Sequence, residues 1–198
     1  MMSIRSFKKG LSKALHHWEK KQYDVALSDV EELLKSWPGN AQLHILWANL
    51  VQLQEDPTYS LAEVKKALQR TADLDPNSPA GNIELGHYLD AVEDNPQAAS
   101  KVFSEGIRSA RQLLIDGLLG QARAFVQLDK RQEAFECLME SLYLANIAYS
   151  SEDGKSTTSA PDILLRDRAG RILAFQLKGP FAIKIEDLLR ELFPKRSA

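Results

Sequence analysis

Four small residues recur along this chain at nearly even spacing. Ala14, Ala48, Gly86 and Ala122 are separated by 34, 38 and 36 residues. An alanine-like residue follows each of them about 12 positions later, the step from one helix of a pair to the next. Self-similarity at this period marks stacked helix pairs, because one pair cannot bury its apolar face alone. Such arrays normally present a surface to a partner rather than enclose a catalytic pocket.

The apolar residues between these markers follow helical spacing. In the first repeat, about residues 7–40, Leu11, Ala14, Leu15 and Trp18 share one face. Ala26, Val30 and Leu33 line a second helix, which Trp37-Pro38-Gly39-Asn40 stops, since proline and glycine continue a helix poorly. The second repeat, 41–78, carries Ile45, Trp47, Ala48 and Val51, then Leu61, Val64, Leu68 and Leu74. Glu55-Asp56-Pro57-Thr58 is an insertion in its inner turn and accounts for the longer period. The repeat ends at Asp75-Pro76-Asn77-Ser78. The third, 79–113, opens on Pro79, a favoured first-turn residue. Ile83, Leu85, Gly86 and Leu89 form its first helix, Asp94-Asn95-Pro96 its turn, and Ala99, Phe103 and Gly106 its second helix. A helix-interior glycine costs about 1 kcal/mol against alanine, so Gly86 and Gly106 predict close helix approach. In the fourth, 114–149, Leu118, Ala122 and Phe125 face Ala134, Leu138 and Ser141 across the turn Leu128-Asp129-Lys130-Arg131, and the second helix is predicted to end near Tyr149.

Together these positions resemble the tetratricopeptide repeat family over about residues 7–149. The shared pattern is a small residue, a large apolar residue three later, alanine twelve after the small one, then a large and a small residue; the ending Asp75-Pro76-Asn77-Ser78 is typical. Thr71 and Ser141 stand where the family has alanine, and the register of the first repeat is open. The resemblance implies a mainly α fold, a right-handed α-solenoid of four helix pairs. It also implies that the residue after each small one looks into a concave groove. Here those residues are Asn49, His87 and Arg123, with Ile45, Gln52, Ile83, Asp90, Leu119 and Val126 one turn away. Asparagine suits backbone groups, arginine a carboxylate, and the aliphatic residues an apolar anchor. The plainer alternative is a solvated inner face. A Lys/Asn/Arg clamp for the C-terminal carboxylate of chaperones, used by one subclass of the family, does not fit: the third repeat offers Ala80 and Glu84 where basic residues belong.

Residues 150–161 are polar and small, the composition of a linker. The period then changes. Residues 162–198 predict a ββα tail: strands around Ile163–Arg166 and Arg171–Leu177, a turn at Asp167-Arg168-Ala169-Gly170, and a helix with Ile185, Leu188, Leu189 and Leu192 on one face, stopped at Pro194. A lone hairpin is marginal, so this tail must bury itself. Capping the fourth repeat is the simplest outcome, since an uncapped array end exposes apolar surface; dimerisation or a partner are the others. Ala160-Pro161, Asp167–Gly170 and Gly179-Pro180 give the tail a weak likeness to the C-terminal half of thioredoxin-like domains. Their redox cysteine pair is missing.

Little else in the sequence points to chemistry. Cys137 is the single cysteine and reads as a small buried hydrophobe. The adjacent His16-His17 point about 100° apart on a helix and are not a chelating pair. His44 and His87 have no ligand pattern around them, and Glu31-Glu32 and Glu152-Asp153 read as solvated charge. There is no phosphate cradle, GxSxG or HExxH. The expectation is therefore no catalysis, no cofactor and no metal. A formal net charge of −2 gives no bulk attraction to nucleic acid, although Lys8, Lys9, Lys13, Lys20 and Lys21 make the N-terminus locally basic. No run reaches the ~18 apolar residues of a membrane span, and the N-terminus lacks the core of a secretory signal. The default location is the cytoplasm. The function these features predict is a non-catalytic adaptor or scaffold that holds a protein or peptide. The alternatives are a homo-oligomeric assembly protein, such as a homodimer, using the tail, and a divergent thioredoxin-like redox protein.

Overall fold

A computed structural model describes residues 3–153, 163–166, 172–175 and 182–192. The elements in order are α1 (Ile4–Glu19), α2 (Tyr23–Ser36), α3 (Ala41–Gln52), α4 (Leu61–Leu74), α5 (Ala80–Ala91), α6 (Pro96–Gln127), α7 (Arg131–Asp153), β1 (Ile163–Arg166), β2 (Ile172–Phe175) and α8 (Ala182–Leu192). The chain divides into two compact units, Met1–Ser109 and Ala110–Ala198.

In the first unit the helix ends are set by local chemistry. Asn40 accepts the Leu43 N–H at 3.1 Å, so the residue that closes the first stop also caps α3. Ser60 and Glu63 form a reciprocal capping box at the start of α4. Asn95 accepts the Ala98 N–H at 3.1 Å as α6 begins. The turns α1–α2 and α5–α6 reverse through a left-handed residue, Lys21 (φ 58°) and Asp94 (φ 48°), and the α6–α7 turn of the second unit does the same at Asp129 (φ 55°). The α3–α4 turn, which holds the insertion, has no such residue.

The core of the first unit is a continuous cluster running from Ala14 through Ala26, Val30, Leu33, Leu43, Leu50, Val64 and Leu68 to Leu85, Leu89 and Ala99. The small markers sit at its contacts, with Ala14 1% and Ala48 0% exposed. A Cβ on Gly86 would stand 2.6 Å from the Phe103 ring, and one on Gly106 would stand 3.0 Å from Ile83 Cγ1, so α5 and α6 approach as closely as the glycines predict. Thr71 and Ser141, the substitutes for alanine, are buried; their hydroxyls donate back to the Leu68 and Leu138 carbonyls at 2.6 and 2.7 Å. A buried hydroxyl satisfied within its own helix costs little in a packed seam.

The second unit departs from the sequence expectation in two ways. The break predicted between residues 113 and 114 is absent, and α6 is one helix of 32 residues. Nothing between Gln97 and Gln127 forces a stop: there is no proline, and Gly106, Gly117 and Gly120 weaken a helix without ending it. Likewise α7 continues to Asp153, past the predicted end near Tyr149, so the first residues assigned to the linker are helical. The rest of that linker, the predicted tail turn, Gly179-Pro180 and Pro194 lie outside the described residues. Strands β1 and β2 pair antiparallel, with Ile163 opposite Phe175 and Arg166 opposite Ile172. Helix α8 packs Ile185, Leu188 and Leu192 into a core with Ile115, Leu119, Ala122, Ala134, Leu138 and Leu142. Lys184 pairs with Asp116 at its edge.

Candidate partner-binding face

One arrangement repeats in both units. The small residue is buried and the next residue faces water or the surface layer. Ala14 precedes Leu15, 44% exposed; Ala48 precedes Asn49, half-buried; buried Gly86 precedes exposed His87; Ala122, 0% exposed, precedes exposed Arg123. The step of about 100° per residue produces this directly, since a side chain beside the buried stripe points out of it.

In the first unit α3 packs against α5, which brings two sets of predicted residues onto neighbouring helices. Ile45 and Asn49 on α3 and Ile83 on α5 are half-buried, while Gln52, His87 and Asp90 are exposed. The His87 ring sits edge-on to Phe103, with centroids 5.0 Å apart and planes at 75°, so packing holds it in place. Gln52 donates to the Ala48 carbonyl at 3.0 Å and so spends a donor on its own helix.

The second unit holds Leu119, Arg123 and Val126. Here one expectation is corrected. Leu119 is 5% exposed and belongs to the core under α8, so it is not a surface contact. Its burial depends on a helix more than sixty residues later, which repeat periodicity does not register. Val126 is half-buried against the same core, and Arg123 remains exposed.

Sequence reasoning also missed Leu15 as a surface group and misread Glu31. Rather than solvated charge, Glu31 is half-buried; its Oε1 accepts from Tyr59 Oη at 2.6 Å and lies 3.5 Å from Trp47 Nε1. Trp47 and Tyr59 meet edge-on at 4.8 Å, so this carboxylate ties α2 to α3 and to the inserted turn. The pairing pushes the Tyr59 hydroxyl above its ordinary pKa, chiefly through the hydrogen bond to Glu31 and then through burial. The sequence carried no signal for it, because the aromatic partners lie 16 and 28 positions from the acid.

His16 is exposed, while His17 Nδ1 lies 2.8 Å from Asp29. His44 Nε2 lies 2.9 Å from the Pro38 carbonyl. Burial pushes the Cys137 thiol up, and Glu140 and Glu136 add to the shift; Sγ lies 3.7 Å from Gln121 Oε1. Such a thiol is a poor nucleophile. Among the described residues no group of three His, Cys, Asp or Glu is placed to hold a metal ion, and no helix is long and apolar enough to cross a membrane.

No protein-family model matches the chain. A relative from Myxococcus xanthus, described as an uncharacterized 18.1 kDa protein in the carS 3' region, is 27% identical over 85 residues, 38% of this chain and 50% of its own length. A solved structure described as the MamA RS-1 ArsTM double mutant superposes with a TM-score of 0.46 at 23% identity, over 54% of this chain and 57% of its own. The chain thus spans only about half the length of these matched proteins. The thioredoxin-like likeness of the tail gains nothing from them. The described helices of the first unit are paired, with buried small residues at their crossings, and form a helical repeat.

Proposed function

We propose that this protein is a non-catalytic partner-binding module that holds a peptide or helix against the exposed face of its first helices. The observation that carries the reading is the repeated pairing of a buried small residue with an outward neighbour. In the first unit it supplies Leu15, Asn49 and His87 at one helical position in successive pairs. Leu15, Ile45 and Ile83 are the apolar anchors. Asn49 orients backbone groups, and His87 and Asp90 read polar groups beside them. Helix α8 acts as the cap of the last pair, since its apolar stripe fills the core under α6 and α7.

The test is capture from a native lysate by purified protein, with mass spectrometry comparing wild type and the Asn49→Ala/Asp90→Ala double variant. These side chains lie off the apolar clusters, so the variant is expected to melt like wild type. A protein retained by wild type and lost from the variant supports the face. Identical retention by both sinks it.

A further inference from the structure

The fourth pair leaves bare a face that the second and third pairs bury. Five residues before the markers Ala48, Gly86 and Ala122 stand Leu43, Gly81 and Gly117; two residues after them stand Leu50, Tyr88 and Ala124. Leu43, Leu50, Gly81 and Tyr88 are all buried. In the third pair the cover is the preceding second helix, α4. A Cβ on Gly81 would stand 2.9 Å from the Ala72 nitrogen, and Tyr88 Oη donates to the Leu61 carbonyl at 2.7 Å. Gly117 and Ala124 are exposed, and a Cβ on Gly117 or Gly120 would meet no described atom within 4 Å. Leu113, 53% exposed, continues the same face one turn earlier.

The matching cover is bare as well. Core residues of the second helices recur as Val64, Leu68 and Thr71 in α4 and as Ala99, Phe103 and Gly106 in α6, so Ile107 stands where Ala72 does. Ala72 is half-buried beside α5, whereas Ile107 is 53% exposed. Thr71 and Gly81 meet because the chain turns between them. Their counterparts, Gly106 and Gly117, lie on one unbroken helix, about 16 Å apart along its axis. One chain thus carries both halves of a seam and cannot close it. Gly117 and Gly120 meanwhile weaken α6, as glycine does inside any helix, with no close contact among the described residues that needs them.

A second copy supplies the missing half. Two α6 helices laid antiparallel, with Gly106 of each opposite Gly117 of the other, close two equal seams at once, the self-complementary pattern of a two-fold pair. The same register sets Phe103 opposite Gly120 and Ala110 opposite Leu113, large against small, because each of these pairs is centred between Arg111 and Gln112. From Phe103 to Gly120 these positions recur at steps of three and four, the spacing that keeps two long helices in contact. We propose that α6 is the interface of a homodimer in which the Gly117 face of each copy covers the Gly106–Ile107 face of the other. Such an exchange replaces the turn that α6 lacks. It rests on the repeat spacing and uses neither the binding face assigned above nor the tail.

The test is sedimentation equilibrium of the full chain between about 1 and 100 µM, which spans the dissociation of a specific pair. The mass expected at the upper end is twice 22.2 kDa. In the separated chain a Cβ at Gly117 meets no described atom, so Gly117→Arg tests the pair rather than the fold. It is expected to melt like wild type when dilute and to raise the dissociation constant more than about a hundredfold, since the seam would bury an unpaired charge. Leu113→Lys, on the same exposed face, is expected to act alike. Disulfide trapping in a Cys137→Ser background reads the register. A mixture of Ile107→Cys and Gly117→Cys chains is expected to form linked dimers on oxidation. Neither chain alone should do so, because like positions would stand more than about 13 Å apart along the axis, beyond disulfide reach. A monomer at every concentration overturns the proposal. So does a dimer that Gly117→Arg leaves unchanged while melting like wild type, or a disulfide formed as readily by either chain alone.

Discussion

In the first unit, the ends that separate one helix pair from the next carry proline: Pro38 follows α2 and Pro76 follows α4. At the corresponding point before the fourth pair there is none, and α6 runs through from Pro96 to Gln127. The two units also treat glycine differently. Gly81 and Gly86 sit in tight seams, whereas a Cβ on Gly117 or Gly120 would meet nothing within 4 Å. The first unit is held by sequence-local stops and close helix contacts. The second holds α6 and α7 under a helix that arrives from far along the chain. A repeat pattern fixes which residues face the core, but only residues that cannot stay helical fix where the chain turns.

The largest effect that would sharpen this contrast is expected at α8. Leu188 is 1% exposed in the core of the second unit, and Leu188→Ala should remove about 2–5 kcal/mol from that unit, the range for a buried leucine. Hydrogen exchange reads it locally: amides of α7 and α8 lose protection, while those of α2 to α4 keep theirs. Unchanged protection in α7 would mean that α8 carries no weight there and would remove the capping role.

Next come the glycines, which should respond with opposite sign. A methyl on Gly81 would press on Thr71 Oγ1 and stand 2.9 Å from the Ala72 backbone nitrogen. Backbone cannot swing aside as a side chain can, so Gly81→Ala is expected to cost about 1–3 kcal/mol by forcing α4 from α5. Gly117→Ala adds a methyl in open space within a helix and should gain about 0.5–1 kcal/mol. Urea midpoints of the two variants measure both. Two changes of the same sign would erase the distinction between seam and surface glycines.

These particulars show how far the sequence was legible. The buried small residues, the proline stops and the close approach at Gly86 are local or nearest-neighbour facts, and the residue pattern encodes them. The outward positions Asn49, His87 and Arg123 follow from the same periodicity, because facing out is the complement of facing in. The continuous α6 was not legible: core positions of a second helix and of the next first helix keep step without a turn between them, and only a breaker reveals one. Leu119 was misplaced because its cover, α8, comes from outside the repeat. The Glu31–Tyr59 pair and the Gln54–Asp24 pair join residues 28 and 30 positions apart, and no local pattern selects one polar partner over another at that range.

The smallest effect is expected at the clasp between α1 and α2. Asp29 receives Lys13 Nζ at 2.7 Å and lies 2.8 Å from His17 Nδ1. Partial burial by itself raises its carboxyl; the hydrogen bonds from Lys13 and His17 outweigh that and hold it below the ordinary aspartate value. A carboxyl whose folded value lies below its unfolded one stabilises the fold above the unfolded value, and that contribution is lost as pH falls through the folded value. Because Lys13 is 61% exposed, the clasp is worth under about 1 kcal/mol at neutral pH and should weaken as salt rises. Asp29→Asn is therefore expected to lower the urea midpoint slightly at about pH 7 and to match wild type at a pH acid enough for both to carry an uncharged side chain. A deficit of the same size at both values would assign the loss to packing at the α1–α2 seam rather than to charge. The first unit would then rest on close contact alone, as its glycines do.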